Sequence, residues 1–84
     1  MSFNSQISKV RNKEIGLNQK CSHLRSCALL YAQLRKVERS QVIDEIASQT
    51  DVNILHNDLN DEELERALNF LIKERNRFLE NVTS

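Results

Sequence analysis

Eighty-four residues allow at most one domain, and a chain this short buries only about 60–65% of its unfolded surface, so its core is small. Twelve Lys/Arg balance 12 Asp/Glu at a pI near 6.7, well short of the basic footprint of a dedicated nucleic-acid domain. With no proline and one glycine the chain has too few turn formers for an all-β fold, and its Leu, Glu, Gln, Lys and Arg favour long helices.

The N-terminus lacks the apolar core of a signal peptide, and no apolar run approaches the ~20 residues needed to span a membrane. A cytoplasmic location is the expectation. Cys21 and Cys27, placed on one helix, would stand about 9 Å apart along the axis and roughly 240° apart around it. That is too far for a disulfide, so they read as small buried apolar residues in a reducing compartment. The sequon Asn81-Val82-Thr83 carries no weight without secretion.

In chain order, residues 1–5 read as a frayed end. From Phe3 a heptad-like spacing runs through Phe3, Ile7, Val10, Glu14, Leu17, Cys21, Leu24, Ala28 and Tyr31, with Glu14 its one charged position. Gly16 interrupts it, at about 1 kcal/mol relative to alanine inside a helix. Two arrangements fit: one long helix from about Ser5, or a short helix ending near Glu14 and a second capped by Asn18. From Cys27 to Leu34 the apolar residues leave little room for a polar face, which marks the centre of the fold or of an interface. Val37, Val42, Ile43, Ile46 and Ala47 continue the helical spacing. Ser40 offers a cap for a separate helix, but with no Gly or Pro to stop it the helix is expected to run on to about Ser48. Residues 50–58 form the clearest loop. Asp51, Asn53, Asn57 and Asp58 are turn formers, while Val52, Ile54 and Leu55 hold the loop, with room for one helical turn, against the core.

The last helix announces itself most plainly. Asn60 is an N-cap, Glu63 completes a capping box, and Leu59 with Leu64 has the spacing of a hydrophobic staple. Asp61, Glu62, Glu63 and Glu65 face the positive end of the helix dipole. The stripe then runs Leu64, Ala67, Leu68, Leu71, Ile72, Arg75, Phe78, Leu79, Val82, interrupted at Arg75, whose aliphatic stem can lie along it.

The fold class is therefore all-α, a single small helical domain over residues 1–84. A long helix ending near Ser48 pairs in an antiparallel hairpin with the helix from Asn60 to Asn81, and an additional N-terminal helical segment makes a three-helix arrangement or covers a dimer. Charge is uneven along it. Met1–Val42 carries eight Lys/Arg against two Asp/Glu, and Ile43–Ser84 four against ten, so the halves differ as +6 and −6. The plain consequence is attraction between the two halves of the hairpin.

Chemistry finds little support. Cys21 and His23 point about 200° apart on a helix, and His23 with Cys27, at i and i+4, lies on a broadly apolar surface that suits core better than a nucleophile. Cys21, His23, Cys27 and the distant His56 lack the spacing of a zinc site. One glycine cannot build a phosphate loop. No cofactor, metal or enzymatic activity is expected.

The leading reading is a non-enzymatic protein–protein interaction module: an adaptor, co-chaperone or inhibitor that uses amphipathic helices on another protein or a second copy. The partner-binding candidates are Leu24, Cys27, Leu30, Tyr31, Leu34 and Val37. Either the face of Leu24, Ala28, Tyr31 and Leu34 or that of Cys27, Leu30 and Val37 is core, and the other is free. The alternative is a nucleic-acid-associated regulator using Lys9, Arg11, Lys13, Lys20 and Arg25 on phosphates. It lacks a compact helix-turn-helix and an aromatic platform.

Overall fold

A computed structural model describes residues 2–56 and 58–83. It is all-α: α1 Phe3–Val10, α2 Leu17–Arg35, α3 Arg39–Thr50 and α4 Asp61–Thr83. Among the described residues there is no strand, and no helix is long and apolar enough to cross a membrane.

The N-terminal segment is short and separate. Its helix starts at Phe3, not beyond the expected fraying at Ser5, because the Ser2 hydroxyl accepts from Ser5 N–H at 3.1 Å as an N-cap. It stops at Val10. Asn12 Oδ1 accepts from Glu14 N–H at 2.9 Å, a local turn that carries the chain away. Of the two arrangements that fit the Phe3–Tyr31 pattern, the broken one forms. Gly16 is the N-cap of α2, a role expected of Asn18, and its φ of −74° is open to any residue.

The expected long helix to Ser48 is not continuous. Lys36 takes the left-handed conformation (φ 62°), its N–H bonds Gln33 C=O at 3.2 Å, and Val37 N–H bonds Ala32 C=O at 3.0 Å. These bonds make a Schellman stop, with Val37 packing back on the core. A left-handed non-glycine costs about 1–2 kcal/mol. The return covers Val42, Ile43 and Ile46, all buried, at about 1.5–3 kcal/mol each. Burial wins, and the single long helix becomes the pair α2 and α3. Asp51 ends α3 in the same conformation (φ 60°), with the Thr50 hydroxyl donating to Ile46 C=O and accepting from Val52 N–H.

The loop to α4 lies against the core, as its apolar residues require: Val52, Ile54 and Leu59 are buried, while Leu55 is exposed. It contains one turn, in which Asn53 C=O accepts from His56 N–H at 3.2 Å and Asn53 Oδ1 from Leu55 N–H at 3.0 Å, and no helix among the described residues. Asn57, expected as a turn former, lies outside the described residues. The start of α4 is as read: Asn60 Oδ1 accepts from Glu63 N–H at 2.8 Å, Glu63 Oε1 accepts from Asn60 N–H at 3.1 Å, and Leu59 and Leu64 are buried.

Cross-helix contacts set the directions. Arg11 meets Glu65 while Phe3 meets Arg75, so α1 and α4 are antiparallel. Arg35 meets Glu45 across the turn, so α2 and α3 are antiparallel, and Arg66 meets the Thr50 carbonyl near the start of α4. Lys20 meets Asp61, so α2 and α4 start at the same end. The helices alternate up, down, up, down. The last helix therefore runs antiparallel to α3 as expected of the hairpin, but parallel to α2. The centre is α2, which packs against α1, α3 and α4 and contributes Cys21, Leu24, Cys27, Ala28, Tyr31 and Ala32 to the core.

Lys36→Gly relieves the left-handed strain and is expected to stabilise the chain by about 1 kcal/mol, or about 4–8 °C in Tm. A lower Tm for this variant would show that Lys36 contributes more than its backbone conformation.

Candidate interaction surface

The six candidate partner residues divide by burial. Leu24 and Cys27 are fully buried and Tyr31 nearly so. Leu30 and Val37 are half-buried against the core, and Leu34 is 36% exposed. The two faces weighed from the sequence are thus not one core and one free face. Both are partly core, because three helices pack around α2. What stays open is its outer side and its C-terminal end, where Leu29 and Leu34 are exposed. Leu17, Leu55 and Val82 are the other large apolar residues at the surface, with Val82 at 63%.

One stripe of α2 ties these positions together. His23, Cys27, Leu30 and Leu34 fall at i, i+4, i+7 and i+11, on one side of the helix. At the start of the stripe, His23 Nδ1 lies 2.9 Å from Oε1 of Gln6 on α1. Gln6 is 1% exposed, so this is a buried polar link between the helices. With Oε1 as acceptor, Nδ1 carries the hydrogen. Sequence reasoning missed Gln6, since a lone glutamine in an 8-residue helix gives no mark of burial. The α1 helix lies alongside only the first part of the stripe, and Leu30 and Leu34 continue it beyond.

On α4 the matching surface runs from Glu65 and Asn69, both bonded by the Arg11 guanidinium at 2.9–3.3 Å, past Ile72 and Arg75 to Leu79 and Val82. Arg75 stands 4.6 Å over the Phe3 ring. The break that it makes in the apolar stripe is therefore a cation–π seat for the end of α1. Buried α4 core ends at Leu71; Ile72, Phe78 and Leu79 are half-buried.

On the opposite flank, α2, α3 and α4 enclose an open cleft of about 240 Å³ lined by Tyr31, Arg35, Glu45, Glu74, Arg77 and Phe78. Arg35 donates to both Glu45 oxygens, at 2.8 and 3.0 Å, and stacks 5.3 Å over the Tyr31 ring. The cleft's charges are paired, Arg35 with Glu45 between α2 and α3 and Arg77 with Glu74 along α4 at 3.5 Å. Burial raises the Tyr31 phenol above its ordinary 10.0, and the Arg35 charge opposes that shift.

The candidate nucleic-acid residues are not gathered on a free face. Arg11 is held by Glu65 and Asn69, Lys20 is buried with its ammonium 3.3 Å from Asp61, and Arg25 donates to Leu55 C=O at 3.2 Å. Lys9 and Lys13 are exposed. The ion pairs Arg11–Glu65, Lys20–Asp61 and Arg35–Glu45 each join a basic residue of the first half to an acidic residue of the second. Three of the eight basic residues of the first half are thus paired with acids of the second.

Neither cysteine is bonded, and both are fully buried. Burial pushes the Cys27 thiol up to about 12 from its ordinary 9.0, so it keeps its proton and is no nucleophile at neutral pH. Among the described residues no group of three His, Cys, Asp or Glu side chains is placed to hold a metal ion. No family model matches the chain, and no curated protein or solved structure matches it either.

The thiol sets a pH window. The folded chain holds the Cys27 proton up to about 12 and the unfolded chain loses it near 9.0, so this contribution to stability is complete below pH 9 and declines as pH rises from 9 toward 12. Tyr31, raised above 10.0, acts in the same direction. Urea midpoints measured from pH 7 to 11 are expected to fall above pH 9, and to fall less steeply in Cys27→Ala. A midpoint constant across that range would contradict the burial of the thiol.

Proposed function

We propose that this chain is a non-enzymatic protein–protein interaction module, whose contact surface is the C-terminal ends of α2 and α4. One observation carries the reading. At this end Leu30 and Leu34 of α2, Val37 in the turn after it, and Leu79 and Val82 of α4 remain half-buried or exposed. Leucines left open at the end of a small bundle are the kind of surface that a partner covers. Leu24, Cys27 and Tyr31 support this surface from below and do not touch a partner directly. An adaptor, a co-chaperone or an inhibitor of a larger protein would all use such a surface, in a reducing compartment such as the cytoplasm that suits two unpaired cysteines. The partner is another protein or a second copy, and the surface asks for no cofactor.

The internal pairing of Arg11, Lys20 and Arg25 argues against a phosphate-binding role.

Leu34→Asp, at an exposed position, is expected to leave the unfolding free energy within about 0.5 kcal/mol of wild type. In chemical cross-linking within cells, wild type should give a defined adduct that Leu34→Asp loses and the double variant Lys9→Ala/Lys13→Ala keeps. An adduct unaffected by Leu34→Asp, or retardation of duplex DNA by wild type with a steep salt dependence, would contradict the reading.

A further inference from the structure

We infer that α1 is a replaceable occupant of the groove between α2 and α4, and that the partner is an amphipathic helix about twice as long, seated in the same register. This rests on the interaction-module reading and names the chemistry of its partner.

Three observations carry it. First, α1 sits in the groove as a bound helical peptide would. Phe3, Gln6, Ile7 and Val10 fall at i, i+3, i+4 and i+7, the anchor pattern of helix-in-groove recognition. Phe3 and Val10 are buried, Ile7 packs on the core, and Gln6 meets His23. Second, the occupant is weak by itself. It has 8 residues, fewer than the ~12–15 at which isolated helices become marginally stable, and it is joined to α2 by the mostly exposed residues 11–16. Third, the two helices that hold α1 are longer than it is. The α1 helix covers about 12 Å. On α2 the stripe that holds it continues to Leu30 and Leu34, and on α4 the surface continues past Arg75 to Leu79 and Val82.

A helix of about four turns would therefore make every contact that α1 makes and cover the exposed Leu34 and Val82 as well. That difference gives the incoming helix its advantage over the tethered one. Its chemistry is specified by the seat. An aromatic residue stands under Arg75, an amide three residues later meets His23, and a cation eight residues after the aromatic meets Glu65. Apolar residues four and seven positions before the aromatic face Leu30, Leu34 and Val82. The incoming helix runs like α1, so its N-terminus meets the C-terminal ends of the parallel α2 and α4, a favourable dipole arrangement.

The test uses the full chain and a fluorescein-labelled synthetic peptide. The peptide carries the sequence of residues 3–11 preceded by two helical turns, with leucine four and seven positions before the phenylalanine. Fluorescence polarisation is expected to show saturable binding, weaker by about tenfold or more for a peptide of residues 3–11 alone and for the Leu34→Asp chain. Loosening the chain's own α1 should tighten binding, because the free groove becomes more populated: about tenfold for Phe3→Ala and a few-fold for Arg11→Ala, which releases Glu65 without touching the core. Arg11→Ala keeps the test valid where Phe3→Ala loses its fold. Binding that neither variant tightens overturns the replacement of α1, while its sensitivity to Leu34→Asp would leave the interaction surface standing. Binding by none of the chains overturns the partner helix. A dimer of the chain alone that Leu34→Asp dissociates makes a second copy the occupant, and also overturns it.

Discussion

The reversal at Lys36 is the constraint on which the rest of the structure depends. A left-handed residue with no glycine to ease it ends α2 and sends α3 back along it. Without that reversal Val42, Ile43 and Ile46 would extend into solvent on a long rod. With it they close one side of α2, and α4 returns along the seam. A chain with few apolar residues has to use one helix several times over, and α2 is the one shared by α1, α3 and α4. Charge follows the same geometry. Three ion pairs between helices join the basic first half to the acidic second half.

The sharing of α2 also decides what is left for function. Its side chains are buried where three neighbours reach it and open where α1 has ended. The short N-terminal helix lies on α2 and α4, which are both longer than it is. The exposed Leu34 and Val82 are thus the consequence of a mismatch in helix length, 8 residues against 19 and 23. Polar detail reinforces the distinction. The seat of α1 is specified by Gln6 with His23, Arg75 with Phe3, and Arg11 with Glu65, and on the same helix faces beyond it stand Leu30, Leu34, Leu79 and Val82.

What was legible in the sequence followed the strength of local signals. The start of α4 could be read residue by residue, since a cap, a capping box and a staple are all short-range. The all-α class, the loop held down by Val52 and Ile54, and the burial of both cysteines followed from composition and spacing. The break after Val10 was one of two readings, because Gly16 weakens a helix without forbidding it. The break at Lys36 was not legible: lysine carries no turn preference, and only the burial of α3 residues against α2 and α4 makes its conformation worth the strain. That one miss propagated. A continuous helix to Ser48 leaves surplus apolar surface around Leu24, Cys27 and Tyr31, which the folded-back α3 and the docked α1 in fact cover. The buried Gln6 and the Arg75–Phe3 contact are tertiary, with no local signature.

A partner helix can take the place of α1 only if α1, with Phe3 and Val10 in the common core, opens before α2, α3 and α4 do. Native-state hydrogen exchange measures this directly, since it resolves elements that open before the whole chain unfolds. The hydrogen-bonded amides of α1 are expected to exchange through a local opening, with protection at least about tenfold lower than the core amides of α2 and α4 around Leu24, Cys27, Leu68 and Leu71. Equal protection in α1 and in that core, with both exchanging only on global unfolding, would contradict it.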